Sequence, residues 1–371
     1  MMQADVLVRG AGVVGQSLAL ALARQGLKVA LVGASSAPTR PDVRAYALNA
    51  ASRALLQTLK VWDTLPPTSV TPVLEMQVRG DARSAGLTFS AWQQTVEALA
   101  WIVDVPALEQ ALQMAVRYAQ HITVVGELNS PVQAPLVALC EGKASSSREQ
   151  LGVHVERFSY GQRAIAARLL ADLPHNGVAH QWFAGSEVLA LLPLDAPRAG
   201  HTVALVWSLP EQRAAHLLAL PELEFEAALT QASHGTLGNL KLVSPCQAWP
   251  LFRSQAQTWS GQGWVLVGDA AHGIHPLAGQ GLNLGLADVA CLAQVLDERE
   301  TWRSLGDAKL LRRYDRARAL PTWAMDQGVD GLWQLFAADH PVPREARNLG
   351  LSALEKLPVL KRWLTSHALG G

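Results

Sequence analysis

The tightest constraint on what this chain can fold into lies at its start. Asp5 to Val8 is a short apolar strand, and Gly10-x-Gly12-x-x-Gly15 follows it directly. Gln16 to Gln25 then reads as a helix, Gly26 caps it, and Lys28 to Val32 gives a second strand. Glycines at this spacing permit a tight turn, admit a ligand close to the backbone, and let the helix pack against the strand. The first N–H groups of that helix lack intrahelical partners and lie at the positive end of its dipole, so a pyrophosphate suits them. A G-x-G-x-x-G alone is weak; within a strand–turn–helix–strand unit it predicts a dinucleotide site. One part is missing. An acidic residue about 20 positions on ordinarily holds the ribose, but here the second strand ends Leu31-Val32-Gly33-Ala34. Ribose recognition must then come from backbone, water or another loop, and loose retention of the dinucleotide is expected.

A second strand–turn–helix passage runs from Gly263 to Asp288. Trp264 to Val267 is a short apolar run stopped by Gly268, with the Asp269 carboxylate placed where the strand ends. His272, His275 and Pro276 follow, then a glycine-bracketed turn, Gly279-Gln280-Gly281, and an amphipathic helix from Leu282 to Leu296. Backbone donors from Gly279 to Leu282 can receive an anionic or electron-rich ligand edge. His272 and His275 are candidate bases by position, and either can equally brace the turn.

The wording of this passage, Gly-Asp-Ala-Ala-His and then His-Pro-Leu-Ala-Gly-Gln-Gly-Leu-Asn-Leu-Gly, closely resembles the flavin-contacting motif of the FAD-dependent aromatic hydroxylases, the p-hydroxybenzoate hydroxylase superfamily. It is most similar to the ubiquinone-biosynthesis hydroxylases of the UbiH/UbiF/UbiI type. The resemblance implies that Asp269, with Gly268 before it, hydrogen-bonds the ribityl chain of FAD. It implies also that the run from His275 to Asn283 wraps the isoalloxazine ring, through Gly279, Gln280, Gly281, Leu282 and Asn283. His275 and Pro276 would face the flavin where the chemistry occurs. Gly10, Gly12 and Gly15 would hold the pyrophosphate. Val43 to Ser52 resembles the family segment whose arginine lies near the FAD ribityl and pyrophosphate, and the planar fork of Arg44 suits phosphate oxygens. Three departures stand out. Gly33 replaces the ribose-binding glutamate, Val105-Pro106 occupies a place where an arginine often reaches the flavin phosphates, and Glu141 replaces the aspartate of Asp-Gly-x-x-Ser-x-x-Arg. That last motif touches FAD and in some members is implicated in NAD(P)H binding.

The rest of the chain reads as a second, smaller lobe inserted into the first. Pro66, Pro67 and Pro72 suggest a linker, and Val73 to Val78 and Leu87 to Ser90 suggest strands. Asp104 caps a helix with Pro106 in its first turn. Leu136 to Cys140 is a strand. Ala164 to Leu170, Ala179 to Phe183, Val188 to Leu192 and Val203 to Leu209 suit a half-buried antiparallel sheet, with Ala214 to Leu229 as covering helices. The expected class is α/β. A discontinuous Rossmann-like FAD-binding lobe takes 1–70, 100–160 and 253–371, and a substrate lobe with a mainly antiparallel sheet takes 71–99 and 161–252. Trp182, Phe183, Trp207 and Trp249 are aromatic candidates for a substrate wall, and Leu192 lies in the strand that, by the resemblance, passes close to the ring. Any one of these tryptophans can instead be plain core. Trp323, Leu332, Trp333 and Phe336 fall on one helical face, which reads as core or a subunit contact while leaving partner binding open.

Composition narrows the function classes. Thirty-one basic and 31 acidic residues cancel, so nothing points to nucleic acid or to an electrostatically held membrane protein. Cys140, Cys246 and Cys291 are far apart and form no CxxC, so they read as buried thiols of a reducing compartment, with no metal site. No stretch approaches the roughly 18 apolar residues of a membrane span, and no signal peptide is read. A cytoplasmic protein is expected, with peripheral membrane contact left open.

With a single dinucleotide fingerprint, NADH or NADPH would visit transiently or a separate reductase would deliver electrons. The resemblance implies a monooxygenase in which reduced FAD adds O2 at C4a and the hydroperoxide hydroxylates an electron-rich ring, here a polyprenylphenol or quinol of ubiquinone biosynthesis. It leaves open a homo-oligomer or membership of a ubiquinone-synthesis complex. Two other readings stand beside it: a flavin enzyme of different substrate, such as a hydroxylase of another small phenol or a prenyl reductase, and a non-catalytic flavoprotein-like subunit of that complex.

Overall fold

A computed structural model describes residues 2–33, 42–80, 86–126, 132–273 and 280–337, with the backbone alone for 328–330 and 332–337. Val6–Arg9 is the pivot of the first sheet. Six strands lie in the order Ser260–Gly261, Trp264–Leu266, Leu136–Leu139, Val6–Arg9, Val29–Val32 and Ile122–Val125. All pairings are parallel except that of the Ser260–Gly261 edge. Val29–Val32 is buried at every position: Val29 and Leu31 face the core that the helices cover, and Ala30 and Val32 pack with Leu7, Met2 and Val132 on the other face. The first helix, α1 (Val13–Arg24), follows the glycine turn, with α2 (Ala50–Thr58) and α3 (Val105–Tyr118) next. Asp104 caps α3 as the sequence predicts, its carboxylate accepting from the Ala107 N–H at 3.0 Å.

The chain leaves Val6–Arg9 toward Val29–Val32 on one side and returns to it as Leu136–Leu139 on the other. A crevice must open where the strand order reverses, beyond the carboxyl ends of these strands. Gly10 stands there at φ +106°, and a Cβ on it would lie 2.3 Å from the Cys140 carbonyl oxygen. Gly33 stands beside it. A Cβ at position 33 would come within 2.7 Å of the Ala11 nitrogen. The expected ribose-binding acid is therefore sterically barred from this backbone, besides being absent from the sequence.

The second sheet has nine strands. Along its main path run His272–Gly273, Gln247–Ala256, Val155–Ala171, Thr202–Pro210, Glu187–Leu194, Val178–Ala184, Glu75–Arg79 and Gly86–Ser90, with Leu240–Leu242 paired to Val155–Ala171. It is antiparallel apart from the pairing of Val178–Ala184 with Glu75–Arg79. Val155–Ala171 is far longer than the sequence suggested, because the register shift between Ser159 and Gln162 absorbs Gly161 at φ +64° and lets one strand continue. Helices α4 (Glu211–Ala219) and α5 (Glu222–Ala232) cover one face. Against the other face packs a three-stranded sheet of Ala45–Leu48, Ala100–Asp104 and Val70–Val73.

Two expectations are corrected here. Pro72 is not in a linker but in Val70–Val73, an edge strand where a missing N–H leaves no ladder bond unmade. Val73 to Val78 is two strands in two sheets, broken at Leu74, whose N–H donates to the Gly177 carbonyl. Two long helices end the described residues, α6 (Gly281–Asp297) and α7 (Ala308–Ala337). Among the described residues no helix is long and apolar enough to cross a membrane.

Candidate active site

The glycine turn gives an open cradle at the start of α1. Gly15 is needed for packing, since a Cβ there would lie 1.8 Å from the Gly10 carbonyl oxygen. Gly12 differs: nothing lies within 4 Å of a Cβ built on it, and it is the N-cap of α1 with no side-chain cap. Unpartnered helical N–H groups facing empty space at the positive end of a helix can take a pyrophosphate. Gln16 holds the turn shut from within, donating to the Ala11 carbonyl at 2.6 Å.

Across the crevice Gly268–Ala270 forms a single turn of 3-10 helix. Asp269 is half-buried and makes no hydrogen bond to any described residue, so its carboxylate is available to a ligand hydroxyl. Its surroundings are fixed with care. Arg148, 2% exposed, donates to the Ala270 carbonyl at 2.7 Å and to the Lys143 carbonyl at 3.0 Å. Asp288, with no exposure at all, accepts from the Gly268 N–H at 2.9 Å, bonds His272 Nε2 at 2.7 Å, and accepts from Arg318 Nε at 2.6 Å. Burial alone would push the Asp288 carboxyl up, but His272 and Arg318 together hold it below the usual carboxylate range. His272 thus braces the turn rather than serving as a free base. Gly285 lets α6 come this close, since a Cβ on it would meet Val14 Cγ2 at 2.8 Å and the Gly268 Cα at 3.5 Å.

The first turn of α6 offers a second set of N–H groups without intrahelical partners, at Gly281, Leu282 and Asn283, and the Gln280 cap makes no side-chain capping bond among the described residues. Gly281 faces open space. The Asn283 side chain is already spent. It accepts from the Asn49 N–H at 3.0 Å and from Ser52 Oγ at 2.7 Å, and it donates to the Ala47 carbonyl at 2.8 Å. Its part is to clamp Ala45–Leu48 to α6, which leaves only its backbone N–H for a ligand.

Arg44, expected near the flavin phosphates, meets a carboxylate of this chain. Its fork meets both oxygens of Asp42, with Nε at 3.0 Å from each, because a carboxylate two residues away is the nearer bidentate partner. Its plane lies 5.8 Å from the ring centres of Tyr46 and Trp249. Burial opposes the charge, yet Asp42 and Tyr46 drive the guanidinium pKa upward. Burial pushes the Tyr46 phenol up, with the Asp42, Glu109 and Asp269 carboxylates adding to it and Arg44 opposing. Tyr46 thus lies within electrostatic reach of Asp42, Arg44, Glu109 and Asp269. Glu141 is engaged by Ser145 Oγ at 2.6 Å, Ser147 Oγ at 2.7 Å and Arg9 at 3.1 Å. Burial alone would push its carboxyl up, but these partners hold it below the usual range.

Strand alternation sorts the proposed substrate wall into two sets. Ile165, Trp207, Leu189 and Trp182 are cross-strand neighbours on the face covered by helices. They pack with Leu217, Phe225 and Leu229. Trp182 and Trp207 are thus core on the far side of the sheet, because one step along a strand reverses the face. Phe183 and Leu192 point the other way. The facing side is paved with small residues: Ala164, Ser208 and Val188 next to Phe183, then Ala166, Val206, Ala190 and Gln181, then Arg168, Ala204 and Leu192. Ala190, Val206 and Gln181 remain partly exposed there, and Trp249 stands beside Ala164. His272–Gly273 pairs with Ser254 and Gln255 at the edge of this same sheet, so the flavin-type passage runs straight off it. His275, Pro276 and Gly279 lie outside the described residues.

Three residues that matter to this arrangement carried no assigned role in the sequence reading. Asp288 had a usable signal, an acid set within the apolar run of a helix. Arg318 and Tyr46 had none, since their partners are distant in sequence or on another sheet.

A family model described as FAD binding domain matches residues 3–328. The 3-demethoxyubiquinol 3-hydroxylase of Escherichia coli (strain K12) is 32% identical over 99% of this chain and 98% of its own length. Ubiquinone hydroxylase UbiL of Rhodospirillum rubrum is 31% identical over 99% of this chain and 90% of its own. Among solved structures, p-nitrophenol 4-monooxygenase PnpA from Pseudomonas putida superposes with a TM-score of 0.77 at 17% identity, covering 100% of this chain and 99% of that one. The probable FAD-dependent monooxygenase pqsL from Pseudomonas aeruginosa gives 0.75 at 19% identity, over 95% of this chain and 100% of that one. These last two show a shared fold. The open Gly12 cradle, the unengaged Asp269 carboxylate and the free N–H groups of α6 fit the pyrophosphate, ribityl and ring edge of one flavin dinucleotide, and the chain belongs to the FAD binding domain family, with FAD as its cofactor.

Proposed function

We propose that this protein is an FAD-dependent monooxygenase that hydroxylates an apolar aromatic ring, a polyprenylated phenol or quinol of ubiquinone biosynthesis. One observation carries the reading: the flavin-type passage leaves the edge of a sheet, at His272–Gly273, whose face away from the helices carries the small side chains Ala164, Ala166, Ala190 and Ala204. Relatives about 30% identical over nearly the whole chain, named as ubiquinone hydroxylases, support the substrate class. In this reading 1–70, 100–160 and 253–371 bind FAD, and 71–99 and 161–252 form the substrate side.

FAD when bound would supply the electron transfer and oxygen activation. The protein's own groups would do the rest. N–H groups at the start of α1 would hold the pyrophosphate, and Asp269 would accept from a ribityl hydroxyl. N–H groups at Gly281 and Leu282 would stabilise negative charge on the ring edge. Ala164, Ala166, Ala190 and Val206 leave room for the substrate ring, with Phe183, Leu192 and Trp249 bounding it and keeping water out.

The test is product analysis. FAD-loaded protein is mixed with NADH or NADPH, oxygen and a panel of phenols with and without prenyl tails. Substrate-stimulated cofactor oxidation with a product heavier by one oxygen atom is expected, strongest for prenylated rings. Peroxide release without any hydroxylated ring overturns the proposal.

A further inference from the structure

Helix α7 serves the site from one side only. Tyr314, Arg318, Thr322 and Asp326, four residues apart, are its buried side. Lys309, Arg312, Arg316, Leu320, Trp323 and Gln327, spaced by three or four, share the opposite exposed side. Leu320 is 69% and Trp323 53% exposed, and Trp302, 76% exposed, flanks the start of the helix with its ring 4.5 Å from the Arg303 guanidinium.

Cations outnumber carboxylates on this face. Glu300 is taken by Arg303 and Arg313, and Asp307 by Arg303. Asp315 turns inward to accept from Ser260 Oγ at 2.7 Å. Lys309, Arg312 and Arg316 form no ion pair with any described residue. The chain as a whole has no net charge, so this excess is local. From Lys309 to Trp323 the stripe extends about 21 Å at 1.5 Å per residue. It is a convex helix surface with cations toward one end and a leucine and an indole toward the other.

We propose that α7 lays this face on an anionic phospholipid surface. Indoles settle at the headgroup level, and arginine and lysine stems lie along apolar surface while their charges meet phosphates. An excess of cations that form no ion pair among the described residues selects for negative headgroups. The proposal rests on the helix surface and holds whatever the substrate of the flavin site is.

The experiment is sedimentation of the full-length, FAD-loaded protein with vesicles of phosphatidylethanolamine and phosphatidylglycerol, against vesicles of phosphatidylcholine alone. Binding to the first, weakened by salt, and little to the second is expected. Each cation removed should weaken binding about fivefold, so Arg312→Ala with Arg316→Ala loses about 25-fold. Leu320→Ser with Trp323→Ser loses at least about tenfold. Both double variants keep the flavin spectrum and the far-UV dichroism of the parent, since none of the four residues touches the cofactor cradle. Equal binding to both vesicle types, no binding, or undiminished binding by both variants overturns the proposal. So does a dimer in sedimentation equilibrium that the Leu320→Ser/Trp323→Ser variant dissociates, which would make this face a contact between copies.

Discussion

Replacing Arg318 with methionine tests the bracing of the flavin turn. The substitution keeps the stem and removes the charge that meets Asp288 at 2.6 Å. Asp288 would then be a fully buried carboxylate whose one remaining partner able to carry charge is His272. Breaking one side of a buried pair costs about 3–5 kcal/mol. The companion variant, Arg318→Met with Asp288→Asn, removes the orphaned charge as well. It should be about 1–3 kcal/mol more stable than the single variant, since contacting residues are not additive. The pH dependence follows from the direction of the shift. In the parent protein His272 and Arg318 overcome burial and hold the Asp288 carboxyl below its ordinary value. Its stabilisation is present above pH about 4 and is lost as pH falls through the lower folded value. In Arg318→Met only His272 is left to oppose burial, so the carboxyl rises from its value in the parent protein. The penalty is then full at neutral pH and shrinks on acidification. Denaturant titrations at pH 7 and pH 5, with FAD affinity measured by fluorescence quenching, give both quantities. A single variant costing under about 1 kcal/mol, or a double variant no more stable than the single one, refutes the reasoning.

Gly12→Ala and Gly15→Ala should part company. The first places a methyl in open space where the pyrophosphate would lie and should weaken FAD at least about tenfold, about 1.4 kcal/mol, with little effect on the melting of the flavin-free protein. The second drives a Cβ into the Gly10 carbonyl and should reduce soluble, folded yield. Asp269→Ala should leave the stability of the flavin-free protein within about 0.5 kcal/mol, because its carboxylate has no partner among the described residues. It should weaken FAD by the roughly 1.5–3 kcal/mol of a hydrogen bond to a charged group, read by the same fluorescence titration. His180, stacked on Trp182 at 5.5 Å, is pushed down to about 4 by burial and secondarily by Arg79. A depressed base is neutral when folded, so stability should fall as pH drops from about 6.5 toward 4, by up to about 3 kcal/mol at 1.36 per unit. His180→Gln should flatten that slope in urea titrations.

Local rules carried the sequence reading a long way. The glycine turn, the Asp104 cap and the alternating strands between 164 and 209 fall where residue pattern places them, because each depends on neighbours within a few positions. Gly33 shows both sides of the matter. Its lack of a carboxylate is plain in the sequence, whereas only the approach of Ala11 shows that no carboxylate would fit.

What tertiary structure alone decided concerns faces and distant partners. Trp182 and Phe183 are adjacent and both buried, yet one belongs to the helix-covered core and the other to the alanine-paved side. A strand buried on both faces carries no polar side to reveal which is which. Only folding sets the Arg44 fork against Asp42 and closes the Asn283 amide on Ala47, Asn49 and Ser52. Asp288 and Arg318 meet across 30 residues. The sequence by itself determined a nucleotide-binding turn and a flavin-type passage, since both are written in short-range spacing. The direction of each side chain, and the partners already holding it, depended on contacts between segments far apart in the chain, which no local periodicity records.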